Sequence, residues 1–209
     1  MTVTRVALTF DAELPDRPSG PGIDVGILDT LERLGVSATF FLQGRWVEAA
    51  PVVARRIVAD GHLVGSHGYY HAEMPLLTDA GLARDIEAAA EAIIAATGAD
   101  PRPWFRCPFG AGADDPRVRG AIERAGYRHV GWDVSGEDWR PDRSAADIRD
   151  EVLAGCRHHG DGAVVLLHAW PDRTPAALEG IIDGLRADGA TLVRLDALRP
   201  YPTVRGSST

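Results

Sequence analysis

Seven short apolar runs alternate with six helical patterns along this 209-residue chain, and that order limits the folds open to it. The runs cover 3–10, 38–42, 63–66, 104–106, 129–133, 163–167 and 191–195. Between them, 23–34, 47–60, 79–97, 116–125, 145–158 and 175–187 carry apolar residues at three- and four-residue spacing, the signature of a helix with one buried face. Gly35, Gly61, Gly98, Gly126, Gly160 and Gly189 follow these patterns, where a helix is commonly stopped. A strand followed by a helix, repeated, predicts parallel strands joined by crossover helices. The expected fold is α/β, a distorted (β/α)7 barrel resembling an incomplete TIM barrel. A doubly wound open sheet is the alternative, weakened because no Gly-rich phosphate loop follows the first run. One catalytic domain is expected over 1–204, with 205–209 as a flexible tail.

A barrel of this kind carries its chemistry at the C-terminal ends of its strands. Titratable residues stand at five of those ends: Asp11, His67, Arg106, Asp138 and His168. Packing alone gives no reason for them to recur there.

The stretch His67-Gly68-Tyr69-Tyr70-His71 places two imidazoles four residues apart. On a helical turn they share one face and bind one metal ion. The segment Asp11-Ala12-Glu13 offers a carboxylate as a third ligand. Two His and one carboxylate leave coordination positions open, as in a catalytic rather than a structural site. Four aromatic residues, Tyr69, Tyr70, Trp139 and Trp170, lie beside these groups and are candidates to stack on a substrate ring. The Pro- and Gly-rich segment 14–22 is expected to be a loop forming one wall of the site.

Five segments, in order, resemble the motifs of the polysaccharide deacetylase family, carbohydrate esterase family 4. They are Thr9-Phe10-Asp11, His67 to His71, Arg106-Cys107-Pro108-Phe109-Gly110, Asp138-Trp139 and Leu166-Leu167-His168. The resemblance implies hydrolysis of an amide, with removal of an N-acetyl group from an amino sugar as the leading reading. It also implies Asp11 as catalytic base, Arg106 as its charge partner, His168 as acid and Asp138 as the group that orients His168. His67 and His71 become metal ligands. A divalent ion is implied, with Zn2+ first and Co2+ or Ni2+ as alternatives.

The chain departs from the family where two consecutive Asp are usual and the second binds metal. Ala12 stands there and cannot bind metal. Three readings stay open: Glu13 supplies the oxygen, Asp11 is itself the ligand, or the metal site is weak or lost. Two alternative functions follow. One is hydrolysis of a cyclic amide, imide or ureide on the same fold, with or without metal. The other is an inactive glycan-binding domain, against which the joint presence of Asp11, Arg106, Asp138 and His168 argues.

Composition narrows the partners. The net charge of −8 makes nucleic acid and anionic membranes poor partners. All 22 basic residues are Arg, which excludes a Schiff-base or P-loop lysine. Cys107 and Cys156 are too few for a disulfide framework; Cys107 is expected as a small buried side chain and Cys156, in a helical pattern, as core or surface filler. With no apolar leader in this sequence, a cytoplasmic location is the expectation, or a secreted one if an export signal has been removed; a small N-acetylated sugar or other small amide is the expected substrate, and the oligomeric state is left unknown.

Overall fold

The structure, a computed structural model, describes residues 4–13 and 23–198. The predicted loop wall at 14–22 and the tail at 205–209 lie outside the described residues. In chain order the elements are β1 (Arg5–Ala12), α1 (Ile23–Arg33), β2 (Thr39–Leu42), α2 (Gly44–Ala49), α3 (Pro51–Ala59), β3 (Leu63–Ser66), α4 (Asp79–Thr97) and β4 (Trp104–Phe105). They continue with α5 (Pro116–Arg124), β5 (Arg128–His129), β6 (Val134–Ser135), α6 (Ala145–His159), β7 (Ala163–His168), α7 (Arg173–Ala187) and β8 (Thr191–Leu192).

Every strand pairing is parallel, in the order β5-β4-β3-β2-β1-β7-β6. The short β8 pairs with the start of β1 at Arg5 and Val6, before β2 begins its own pairing at Thr9. The two end strands of this sheet, β5 and β6, are consecutive in the chain. Laid flat, seven strands would separate them by about 29 Å, six spacings of roughly 4.8 Å. The five Cα steps from His129 to Val134 reach at most about 18 Å. The sheet must therefore curl, and it forms a distorted (β/α)7 barrel with its helices outside. The predicted single strand over 129–133 is this junction: pairing stops at His129 and resumes at Val134, because the chain is crossing from one edge to the other.

A second difference is at 47–60, where the predicted helix is two. Ala50 has φ −127°, ψ 50° between α2 and α3, and Pro51 opens the second helix. The proline ring disfavours helical geometry at the residue before it, so the break falls at that point. The other predicted helices are present within two residues at each end, and α4 stops on Gly98 at φ 74°.

Side-chain alternation along β1 builds the two sides of the sheet. Val6, Leu8, Phe10 and Ala12 join the apolar layer under the helices, with Ile27, Leu28, Leu178 and Ile181. Ala7 points the other way and packs inside the curl with Phe41, Trp104, Val164, Leu195 and Leu198. Asp11 shares the parity of Ala7 and so belongs to the inside. Among the described residues no helix is long and apolar enough to cross a membrane.

Candidate metal and acid–base site

Asp11 lies in β1, His67 just past β3, Arg106 just past β4, and His168 ends β7. Register brings them to one level: Asp11 is opposite His168, and Ser66, immediately before His67, is opposite Phe105, immediately before Arg106. Asp11, Glu13, His67, His71 and His168 share a cavity of about 320 Å³ with Cys107, Phe109, Trp132, Trp139, Leu166 and Trp170.

The metal side of the cavity is assembled by a loop. His67 to His71 is not a helical turn, contrary to the sequence expectation; it is irregular backbone in which Gly68 (φ 69°) and His71 (φ 58°) are left-handed. For a non-glycine residue this conformation costs roughly 1–3 kcal/mol and persists only where the surroundings enforce it. Asp85 enforces it. Its buried carboxylate projects from α4 and accepts the backbone N–H groups of Tyr69 and Tyr70, each at 3.0 Å. A Cβ at position 68 would stand 2.7 Å from Asp85 Oδ2, so a glycine is required there.

Within this loop His67 is locked by its backbone partner. Its Nδ1 is 2.9 Å from the carbonyl oxygen of Arg106, which can only accept, so Nδ1 donates there and Nε2 is the ring nitrogen left to face Glu13. That Nε2 is 3.0 Å from Glu13 Oε2, and His71 Nε2 contacts the same oxygen. Among the described residues Glu13, His67 and His71 form the group suited to a metal ion, their ligand atoms all within 4.8 Å of one another. The donor set, two imidazoles and one carboxylate, fits a divalent ion with open positions. Burial works against ionisation of Glu13, but the hydrogen bonds to His67 and His71 outweigh it and hold the carboxyl well below its usual range.

Of the three readings left open by Ala12, the geometry favours the first. Period-two alternation puts Asp11 and Glu13 on the inner face and turns Ala12, fully buried, into the helix-side apolar layer. Asp11 is engaged elsewhere. Its Oδ1 accepts from Arg106 Nη1 at 2.7 Å, while Oδ2 lies 3.5 Å from His67 Nε2. Arg106 is completely buried, lies over the Phe41 ring at 4.1 Å, and also donates to the carbonyls of Val130 (3.3 Å) and Gly131 (3.0 Å). Those carbonyls belong to the β5–β6 junction, so one guanidinium both bridges the seam of the barrel and steadies Asp11.

Beside β1, at the end of β7, Asp138, buried, accepts from His168 Nδ1 at 2.7 Å, from the His168 backbone N–H at 2.8 Å and from Thr174 Oγ1 at 2.6 Å. Burial alone would lower the His168 pKa; the Asp138 carboxylate, with smaller help from Glu13 and Asp11, raises it to about 9.

The aromatic assignments divide. Trp139 lies edge-on to His168 at 5.3 Å, Trp170 is 5.9 Å from it, and both line the cavity. Tyr69 and Tyr70, expected as substrate-binding residues, do not line it. The Tyr69 hydroxyl donates to Glu48, and Tyr70 packs on Tyr69 and is 63% exposed. Phe109 takes that place, with its ring 4.4 Å from His71, and Trp132 joins the lining. Sequence reasoning also missed Asp85 and Thr174. Asp85 was visible in principle, as a carboxylate on the stripe Leu82, Ile86, Ala89, Ile93 of α4. Cys107 and Cys156 are buried free thiols, each pushed up to about 12 by burial, which disfavours the nucleophilic thiolate form.

A curled parallel barrel with a two-His, one-carboxylate cluster facing a His–Asp pair defines a class of hydrolases that work on carbonyl groups. The chain belongs to the polysaccharide deacetylase family, whose sequence profile matches residues 1–130. It is 34% identical over 197 residues to a peptidoglycan-N-acetylglucosamine deacetylase of Listeria monocytogenes, covering 94% of this chain but 39% of that protein's length. It is 34% identical over 202 residues to a chitooligosaccharide deacetylase of Rhizobium leguminosarum bv. trifolii, covering 90% of this chain and 88% of the other. A family 4 carbohydrate esterase from Streptomyces lividans, solved in complex with acetate, superposes with a TM-score of 0.82 at 30% identity over 98% of both chains.

Proposed function

We propose that this chain is a metal-dependent amide hydrolase that removes the acetyl group from an N-acetylated amino sugar, with an N-acetylglucosamine oligomer as substrate and Zn2+ as the metal. The observation that carries the reading is that Asp11, held by Arg106, and His168, held by Asp138, line one cavity with the Glu13–His67–His71 cluster. The oligomer is preferred to the small sugar expected from sequence because the named relatives act on glycan chains.

Glu13, His67 and His71 would hold a divalent ion, which would supply positive charge to polarise the acetyl carbonyl and acidify water. Asp11 then accepts the proton of the attacking water, its second oxygen fixed by Arg106. His168, protonated because Asp138 stabilises its charge, delivers a proton to the sugar nitrogen as the C–N bond breaks. The products are acetate and a free amine, and the attacking water provides the oxygen. An acid and a base together are needed by hydrolysis and not by binding, which is why the inactive-binder reading is set second.

The test is acetate release from N-acetylglucosamine oligomers by the Zn2+-loaded protein, beside a cyclic imide and with Asp11→Asn and His168→Ala as controls. Release from the oligomer, lost in both variants, is the expected result. Turnover of the imide alone, or none in any metal form, overturns the proposal.

A further inference from the structure

The parallel pairing of β1 with β7 sets Asp11 opposite His168. Carried two positions further, the same register brings Glu13 opposite Trp170, and alternation keeps both on the inner face. The contact is made: the Trp170 indole Nε1–H donates to Glu13 Oε1 at 3.1 Å. The two histidines meet the other oxygen, Oε2. Between them Ala12 and Ala169 turn together into the helix-side apolar layer.

We propose that Trp170 is a positioning residue for the metal site: its indole N–H occupies one oxygen of Glu13, so that the carboxylate presents only the other to the ion. The proposal rests on the reading of Glu13 as metal ligand. The physical need for it is specific to this chain. A carboxylate one residue later and one methylene longer than the Asp usual in the family has an additional rotatable bond and, without a partner, two equivalent oxygens to offer. A fixed donor on one oxygen removes both freedoms, as outer-sphere partners of metal ligands do elsewhere. Trp170 also lines the cavity, so its ring is available to substrate while its N–H is committed to Glu13.

The experiment is a double-mutant cycle on metal affinity. Zn2+ dissociation constants are measured by competition with a graded chelator series for the wild type, Trp170→Phe, Glu13→Ala and the double variant, with melting of each metal-free protein as a folding control. Trp170→Phe keeps a ring in place and removes only the N–H donor. The expected result is affinity about 10–100-fold weaker in Trp170→Phe, and no further loss when Trp170→Phe is added to Glu13→Ala. In the Co2+-substituted protein, the visible spectrum of Trp170→Phe should differ from wild type, because the carboxylate binds differently. Wild-type affinity in Glu13→Ala would sink the ligand reading beneath the proposal. Loss in Glu13→Ala with none in Trp170→Phe would overturn the Trp170 role alone. Equal loss from Trp170→Phe in both backgrounds would show that the indole acts through packing and not through Glu13.

Discussion

Asp138 holds His168 at two points, one carboxylate oxygen on the ring Nδ1 at 2.7 Å and the other on the backbone N–H at 2.8 Å. The ring cannot turn, and its charged form is favoured. The His168 pKa is raised from 6.5 to about 9, so this pair supports the fold fully below about 6.5 and the support fades as pH rises through about 9. Titration of the His168 ring resonances in metal-free protein should show an apparent pKa well above 6.5, and Asp138→Asn should bring it down. The same variant is expected to lose about 10²–10⁴ in deacetylation rate. An unchanged His168 titration in Asp138→Asn would contradict the assignment.

Metal content separates Glu13 from its neighbours. One equivalent of Zn2+ per chain is expected in the wild type, with Glu13→Ala and His71→Ala weakened by more than the roughly 10–100-fold that an outer partner is worth. Adding Ala12→Asp to Glu13→Ala should not restore binding, because position 12 faces the apolar layer under the helices. Inductively coupled plasma analysis after dialysis reads both. Recovery in the double variant would mean that the strand can turn position 12 inward.

Arg106 joins stability to catalysis. Removing one partner of a buried ion pair leaves the other charge uncompensated, so Arg106→Met should cost about 3–5 kcal/mol. Arg106→Lys should recover little of it, since one ammonium cannot reach Asp11 and the carbonyls of Val130 and Gly131 in the same fork geometry. Urea unfolding measures the loss. A Lys variant as stable as wild type would remove the guanidinium from its role at the barrel seam.

Asp85 should be felt through the metal although it touches none of the proposed ligands. Asp85→Ala removes two acceptors from the 67–71 loop, each hydrogen bond to a charged group being worth about 1.5–3 kcal/mol. Lower stability and weaker Zn2+ binding should appear together. Stability loss with intact metal affinity would show that the loop holds its shape without Asp85.

The aromatic rim makes a separable prediction. Phe109→Ala and Trp139→Ala should each raise KM for N-acetylglucosamine oligomers several-fold, in line with about 0.5–1.5 kcal/mol per aromatic contact. Metal content should stay at wild-type level. Tyr70→Ala, outside the cavity, should change neither. A KM effect from Tyr70 larger than that from Phe109 would return the substrate path to the tyrosines.

Much of this was legible in the chain. Strand and helix periodicity, with glycine at the stops, announced a parallel α/β barrel, because alternation and helical spacing are local properties of order along the sequence. Asp11, His67, Arg106 and His168 were singled out because a barrel of this kind carries titratable side chains at its strand ends. What tertiary structure decided depends on elements distant in sequence. The turn at 67–71 reads as helical by spacing alone and becomes a left-handed loop because Asp85 on α4 captures its backbone. Tyr69 and Tyr70 sit beside a proposed metal ligand in sequence, yet the same turn carries them away from the cavity, and Phe109 arrives from another strand end. The choice between Asp11 and Glu13 as the proposed ligand could not be made from their order. It required knowing which face of β1 looks inward, and that Arg106 and Trp170 wait there to engage Asp11 and Glu13. Periodicity along a chain is written locally; the partner across the barrel is set only when the sheet curls and closes.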